Sequence, residues 1–304
     1  MKLDNLTKNL LNQIASLHDI PNGAVSFRKN GKSVVANSTP NIEIVKKKDN
    51  SGIDIFIHSS CQNEACHIPV VITENGLFDL VYNDFYIEDG AVVTIVAGCG
   101  VHSNDEAGHD GIHTFHIGKN VQITYIENHL ATGGGTNKVM NPTTVLNVGE
   151  NSSVKMITNQ IGGVDFSNRI TKANLSSGAV LTVEEKILTE RFNVAKTDFK
   201  VNLNGKDSKC TIKSKSVAKD ESEQVFKSNL IGKDLCFGHV ECDGILLDNS
   251  KIDSVPRVSA RSNLASLSHE ASIGKIATEQ IVKLMTLGLT EKQAEQKIIE
   301  GFLK

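Results

Sequence analysis

Five segments of this chain repeat one layout. YIEDGAVVTIV (86–96), FHIGKNVQITYI (115–126), LNVGENSSVKMI (146–157), ANLSSGAVLTV (173–183) and VNLNGKDSKCTI (201–212) each pass from an apolar residue through a Gly, Asn or Asp corner into an alternating strand. With Ile87, Ile117, Val148, Leu175 and Leu203 aligned, the spacings are 30, 31, 27 and 28 residues. A unit of this size buries its apolar face only against its neighbours, so the units must stack. Short strands with no helix between them predict a mainly β fold, a parallel β-helix or layered β-solenoid. A β-sandwich of hairpin meanders is the competing arrangement.

The ends differ from the repeats. Leu3, Leu6, Leu10, Ile14 and Leu17 fall at steps of three and four, which predicts a helix over 3–18 stopped by Pro21 and Gly23. Near the other end Ile273, Ile276, Ala277, Ile281, Leu284 and Met285 make a helical stripe that Gly288 ends. Thr290 then caps a second helix, with Gln293 at the capping-box position and Leu289 placed to staple onto Ala294. The expected layout is an N-terminal helical segment (1–30), a β-helix core (31–253) and a C-terminal helical segment (254–304).

Composition removes several function classes. The 32 basic and 35 acidic residues leave a net charge of −3, and there is no Trp, 11 Phe and 3 Tyr in 304 residues. Neither a basic footprint nor a stacking platform for nucleic acid is present, so no nucleic-acid partner is expected. No run of 18 apolar residues occurs, so no helical membrane span is expected. The N-terminal stretch is charged throughout and lacks an apolar h-region, which argues against a secretory signal and for a cytoplasmic protein. The six cysteines, at 61, 66, 99, 210, 236 and 242, are then expected as reduced thiols. None forms C-x-x-C, so a zinc ribbon or ferredoxin pattern is absent.

Three clusters could carry chemistry. AGCGVHSNDEAGHDGIHTFHIGKN (97–120) holds Cys99, His102, His109, His113 and His116, a set that could ligate iron or zinc or simply sit at solenoid corners. On a strand from Ile112, His113 and His116 face opposite ways. LCFGHVECDGILLDNSKID (235–253) holds Cys236, His239, Glu241, Cys242 and Asp243. Alternation puts Cys242 opposite His239 and Glu241, so Cys242 could equally be an interior thiol. Ser268-His269-Glu270-Ala271 lies where strands give way to helices, and its Glu could ligate a metal or complement a helix dipole. Gly133-Gly134-Gly135 is not followed by the Lys-Ser/Thr of a phosphate loop and reads as a turn. Cys61 and Cys66-His67 read as partly buried thiols in a loop.

The chain resembles the SufB/SufD family of iron–sulfur cluster assembly scaffolds, in its short SufB-like type. SLSHEASIGKIATEQIVKLMTLGLTEKQAEQKIIEGF (266–302) is similar to that family's C-terminal signature, and ECDGILLDNSKIDSVPRVSA (241–260) to the strand, turn and Val-Pro segment before it. LVYNDFYIEDGAVVTIVAGCGVH (80–102) and HDGIHTFHIGKN (109–120) also match. The resemblance covers about residues 75–304. It departs at Ser250, where SufB proteins carry a cysteine, and Cys210 is the one candidate for a sulfur-receiving thiol inside the repeats.

That resemblance implies a right-handed parallel β-helix with flanking helices. It implies a SufC-like ABC ATPase docking on the C-terminal helices and a dimer of scaffolds, here a homodimer. It also implies a sulfur donor, apo-protein acceptors and a transient iron–sulfur cluster of the [4Fe-4S] kind, with no turnover by the scaffold alone. His269 matches a ligand-type position in SufD and Glu270 one in SufB. The expected cluster ligands are Cys242, His269, Glu270 and His239, with Cys99, His102 and His113 in second rank. A turn containing Pro256 is expected to bring the first group together near the dimer edge. Lys275, Lys283, Glu291 and Lys292, outside the helical stripes, are expected to meet the ATPase. The alternative is a metal-dependent β-solenoid hydrolase or lyase using the Cys99–His116 cluster.

Overall fold

A computed structural model describes residues 3–49 and 51–304. The chain opens with α1 (Asn5–Ala15), then β1 (Ala24–Lys29), β2 (Lys32–Asn37), β3 (Ile42–Lys46) and β4 (Gly52–Ile57). The next strands are β5 (Gln62–Ile72), β6 (Phe78–Ile87), β7 (Val92–His102), β8 (Ala107–Ile117), β9 (Gln122–Thr132), β10 (Lys138–Met140), β11 (Thr143–Val148) and β12 (Ser153–Ile161). They continue as β13 (Phe166–Leu175), β14 (Val180–Thr189), β15 (Val194–Leu203), β16 (Ser208–Ala218), β17 (Glu223–Gly232), β18 (Cys236–Leu246), β19 (Lys251–Ala260) and β20 (Ala265–Gly274). Two helices, α2 (Thr278–Met285) and α3 (Glu291–Phe302), close the chain.

From β5 onward the strands alternate between two sheets and pair in parallel with the strand one coil away. One sheet runs β2-β1-β5-β7-β9-β12-β14-β16-β18-β20 and the other β19-β17-β15-β13-β10-β8-β6-β4-β3, with β11 continuing β10's place between β8 and β13. Parallel pairing makes this a solenoid and excludes the hairpin meander. The residues aligned from sequence are hydrogen-bonding register partners throughout: Ile87 with Ile117, Ile117 with Val148, Val148 with Leu175, and Leu175 with Leu203. All five are buried.

Period-2 alternation puts one row of each strand inside. Phe85 stacks on Phe115 with ring centroids 4.3 Å apart, and Tyr125 meets Phe115 edge-on at 5.1 Å. Each such fully buried side chain stabilises the fold by about 1.5–3 kcal/mol. The corner residues Gly90, Asn120, Asn151, Gly178 and Asp207 all hold positive φ. Gly, Asn and Asp tolerate this conformation best, which explains the corner composition. Their N–H groups form a ladder: Gly90 donates to the Lys119 carbonyl, Asn120 to Glu150, Asn151 to Ser177 and Gly178 to Lys206, at 2.8–3.0 Å.

The N-terminal end departs from the repeat. β1–β2 and β3–β4 pair antiparallel, and Asn30-Gly31, both at positive φ, make the first hairpin turn. Helix α1 is capped by Asp4, whose carboxylate accepts from Thr7 N–H at 2.8 Å, and ends at Ser16 in the left-handed region, before Pro21. It lies on the outer face of the first sheet rather than over the solenoid's end. Leu10, Leu11 and Ile14 pack on Val25, Phe27 and Val71. Gly98 and Gly100 of β7 seat it: a Cβ on Gly98 would stand 2.5 Å from the Ile14 carbonyl oxygen.

Two expected boundaries move. Strands begin at Ala24, ahead of residue 31, and they continue past residue 253 through Gly274. β20 pairs in parallel with β18 from Cys236–Ala265 to Ile245–Gly274. Ser268, His269 and Glu270 are therefore strand residues, and helix begins only at Thr278. Helix α3 carries the expected Thr290/Gln293 capping box, and Ala294 is buried. Gly288, at φ 94°, separates the two helices. Among the described residues no helix is long and apolar enough to cross a membrane.

Candidate functional site

Strands β18 and β20 form the last rungs of the first sheet, and register decides which side chains meet. On the outer face His239 lies beside Ser268, and Glu241 beside Glu270. His239 Nδ1 is 2.9 Å from Ser268 Oγ and its Nε2 is 3.3 Å from Glu270 Oε1. Ligand atoms of His239, Glu241 and Glu270 all lie within 4.8 Å of one another. Lys213 on β16 donates to Glu241 at 2.7 Å and holds that carboxyl below its usual range. Asp243, next on the outer row, is pushed up by burial and by the Glu241 charge. One imidazole and two carboxylates suit a divalent first-row metal, held less firmly than by thiolates.

The inner face carries the other two expected ligands. Cys242 is 1 % exposed and sits in the core with Val240 and Cys236. Its register partner is Ala271, and His269 lies opposite Val240 on the same inner row. His269 is nevertheless exposed, because no coil follows β20. Burial pushes the Cys242 thiol up, so it is protonated at neutral pH.

The four expected ligands thus divide. The structure brings His239 and Glu270 together outside, adds Glu241, and leaves Cys242 and His269 across the sheet backbone. Alternation at period 2 is the cause, because residues 241 and 242 cannot face the same side. The Pro256 turn is a strand position on β19 and plays no part in joining them.

Of the second-rank residues, Cys99 and His113 line one small interior cavity with His109, Glu127 and His129, and His102 is not among its lining residues. Cys99 is buried in an apolar cluster with Val70, Val101 and Met140, and its thiol is raised well above the ordinary value by burial. His113 is also interior, 3.0 Å from the Tyr125 hydroxyl, and burial lowers its pKa to about 4, so it is neutral. His102 is half-buried at a strand end, with Nδ1 3.0 Å from Thr132 Oγ1. His116 points outward and stacks on Tyr86. Among the described residues only His239, Glu241 and Glu270 form a three-ligand group.

The sequence reading missed a buried polar network inside the central coils. Arg169 is hydrogen-bonded to Glu127 and lies 3.3 Å from His129 Nδ1 and 3.9 Å from Glu185. Burial opposes the Glu127 charge, but Arg169 and His129 outweigh it and hold that carboxyl well below its usual range. Glu185 is raised by burial, although Thr197 and Ser214 donate to it at 3.0 and 2.9 Å. The signal was available: Glu127 is in phase with Ile123 and Tyr125, and Glu185 with Leu181 and Val183.

The structure is a parallel β-solenoid with His239, Glu241 and Glu270 grouped on the outer face of its last coil, followed by two helices. Residues 75–302 match the family described as SUF system FeS cluster assembly, SufBD core domain. The chain belongs to the SufBD family. An iron–sulfur cluster assembly SufBD family protein of Methanocaldococcus jannaschii is 26 % identical over 242 residues, spanning 78 % of this chain and 75 % of that relative. Another, of Archaeoglobus fulgidus, is 30 % identical over 228 residues, 74 % of this chain and 60 % of the relative. A third, of Pyrococcus horikoshii, is 25 % identical over 278 residues, 90 % and 84 % of the two chains.

Proposed function

We propose that this chain is a scaffold on which an iron–sulfur cluster is built and from which it is passed on, in the cytoplasm, with an ABC-type ATPase supplying the energy. The observation that carries this reading is the last coil. It combines the outer group His239, Glu241 and Glu270 with the inner residues Cys242 and His269 at an end that no further coil covers among the described residues. Iron delivered to the outer group would lie across the sheet backbone from the Cys242 thiol. Imidazole, carboxylate and a single thiolate hold a [4Fe-4S] cluster less firmly than four thiolates would, which suits a cluster meant to leave.

Pairing of two copies through the uncapped coil is part of the same proposal. Val258 and Ala260 on β19, and Leu267, His269 and Ala271 on β20, lie on the inner row with no next coil above them. A two-fold contact would cover both copies' ends at once and offer each cluster a second set of ligands. The ATPase reading is supported by α2, none of whose residues is buried. Val282, Met285 and Leu287 are exposed beside Lys275 and Lys283, and Glu291 and Lys292 are exposed at the start of α3. Movement of α2 would reach β20 through the three residues 275–277. A sulfur donor and apo-protein acceptors complete the cycle; nucleic acid and membrane have no role in it, and the scaffold itself turns nothing over.

The test is anaerobic reconstitution with iron and sulfide, with and without a SufC-like ABC ATPase, read by absorption and by iron and sulfide counts. Labile sulfide with iron in the purified protein is the expected result. Iron binding without sulfide under every condition would refute it.

A further inference from the structure

The opposite end of the solenoid holds a cavity of about 320 Å³ between the two sheets. The inner rows of its first strands change character along their length. β1 runs Ala24, Ser26, Arg28 and β3 runs Ile42, Ile44, Lys46; the leading residues are core, and the trailing ones line the cavity. A bulge between Phe27 and Arg28 sets Ser33 opposite Arg28. Ser33 Oγ is buried without a hydrogen-bond partner, and Asn83 adds an amide to the wall. Lys32 stands at the rim.

Charge makes this cavity unusual. Arg28 is held by Asp79, which accepts from Nε at 2.6 Å and from Nη2 at 2.7 Å, so both carboxylate oxygens are engaged and Nη1 is not. Lys32 and Lys46 have no ion-pair partner among the described residues, in contrast to Lys47, which pairs with Asp54 and Asp84 on the outer side. Two unpaired ammonium groups, a guanidinium edge and serine hydroxyls therefore face one concave space. Both ammonium groups are exposed at the cavity's mouth, where an anion entering the space would meet them first. A volume of this size is that of a small-molecule site.

We propose that the cavity binds a small multivalent anion, a ligand carrying phosphate or carboxylate groups. Lys32 and Lys46 supply charge, Arg28 supplies a planar donor edge, and Ser26 and Ser33 supply neutral hydrogen bonds. The site lies at the far end of the sheet order from β20, so it is separate from the outer metal group and independent of the scaffold reading.

Calorimetric titration of the full chain at low salt, with inorganic pyrophosphate in one arm and citrate in the other, tests this. Saturable one-to-one binding with a Kd of about 1 mM or tighter is expected for at least one. Preference for pyrophosphate would assign a phosphate ligand, preference for citrate a carboxylate. Lys32→Met with Lys46→Met should weaken binding at least about tenfold. Ser26→Leu, which places an apolar side chain in the cavity wall without touching charge, should weaken it, and Lys155→Met on a distant coil should change nothing. Thermal melts confirm that each variant is folded, and ligand should raise the wild-type midpoint. No saturable binding of either anion, or undiminished binding in folded Lys32→Met/Lys46→Met and Ser26→Leu proteins, would overturn the proposal.

Discussion

Replacing Arg169 by Met tests whether the interior network stabilises the solenoid. Arg169 is the cation between Glu127 and Glu185, all three buried, and Met keeps much of its length without the charge. Removing one partner from a buried ion pair costs about 3–5 kcal/mol, because a charge is left uncompensated in the interior. With an unfolding entropy scaled to a chain of this size, that is a fall of about 5–8 °C in midpoint. The sign of its pH dependence is also fixed. In the wild type the Glu127 carboxyl is held low, so its contribution is present above the unfolded carboxylate pKa and is lost only as pH falls through the depressed folded value. Without Arg169, burial dominates and the folded pKa rises above the unfolded one. The deficit therefore already includes the lost Glu127 stabilisation at pH 5 and grows further toward pH 8. Thermal melts at both pH values measure it, and adding Glu127→Gln should recover part of the loss. A deficit below about 1 kcal/mol, or one unchanged between pH 5 and pH 8, would refute the assignment of Arg169 as the compensating charge.

Other expectations follow from the same contacts. Gly98→Ala should lift α1 from β7, lowering stability by about 1–3 kcal/mol in chemical denaturation, since its Cβ would meet the Ile14 carbonyl oxygen at 2.5 Å. Glu270→Gln and Cys242→Ser should each reduce reconstituted cluster content while leaving folding near normal, and Cys61→Ser should not; iron and sulfide assays decide. Because burial raises the Cys242 thiol and iron must displace its proton, cluster retention should rise from pH 7 to pH 9, followed by visible absorption. Deleting residues 275–304 should abolish co-purification with the ATPase while the circular dichroism of the β-solenoid persists.

Much of this fold was legible because each coil repeats the same physical demand. Ile87, Ile117, Val148, Leu175 and Leu203 must all point inward after a left-handed corner, and the spacing exposed that before any contact was known. The Thr290 capping box was equally local. Hairpins at the N-terminal end were overlooked although Asn30-Gly31 is a strong turn signal. The strand at 265–274 was obscured because Ile273 belongs at once to an inner strand row and to an apparent helical stripe with Ile276 and Ala277. For the site, residue types were readable and partnership was not. Glu241 and Glu270 meet only through the register of β18 and β20, which no spacing of ligands reveals without the coil length. Arg169 and Glu127 resemble surface charges until their phase with neighbouring apolar residues is followed.

The backbone hydrogen bonds between coils run along the solenoid's long axis, so the rungs respond to tension in series. About 4.8 Å separates successive strands, and eight steps lie between β1 and β20, a rod of roughly 38 Å. The far end of α3 is tied back to β14 and β16, where Lys186 donates to the Lys304 carbonyl and Lys215 lies over Phe302; a pull applied at α2 enters through β20, where every rung carries the same force and the weakest parts first. That rung is the last one, since the inner side chains of β19 and β20 are packed from below only. Mechanical compliance is therefore concentrated where His239, Glu241 and Glu270 sit, while the coils beneath act as a stiff mount.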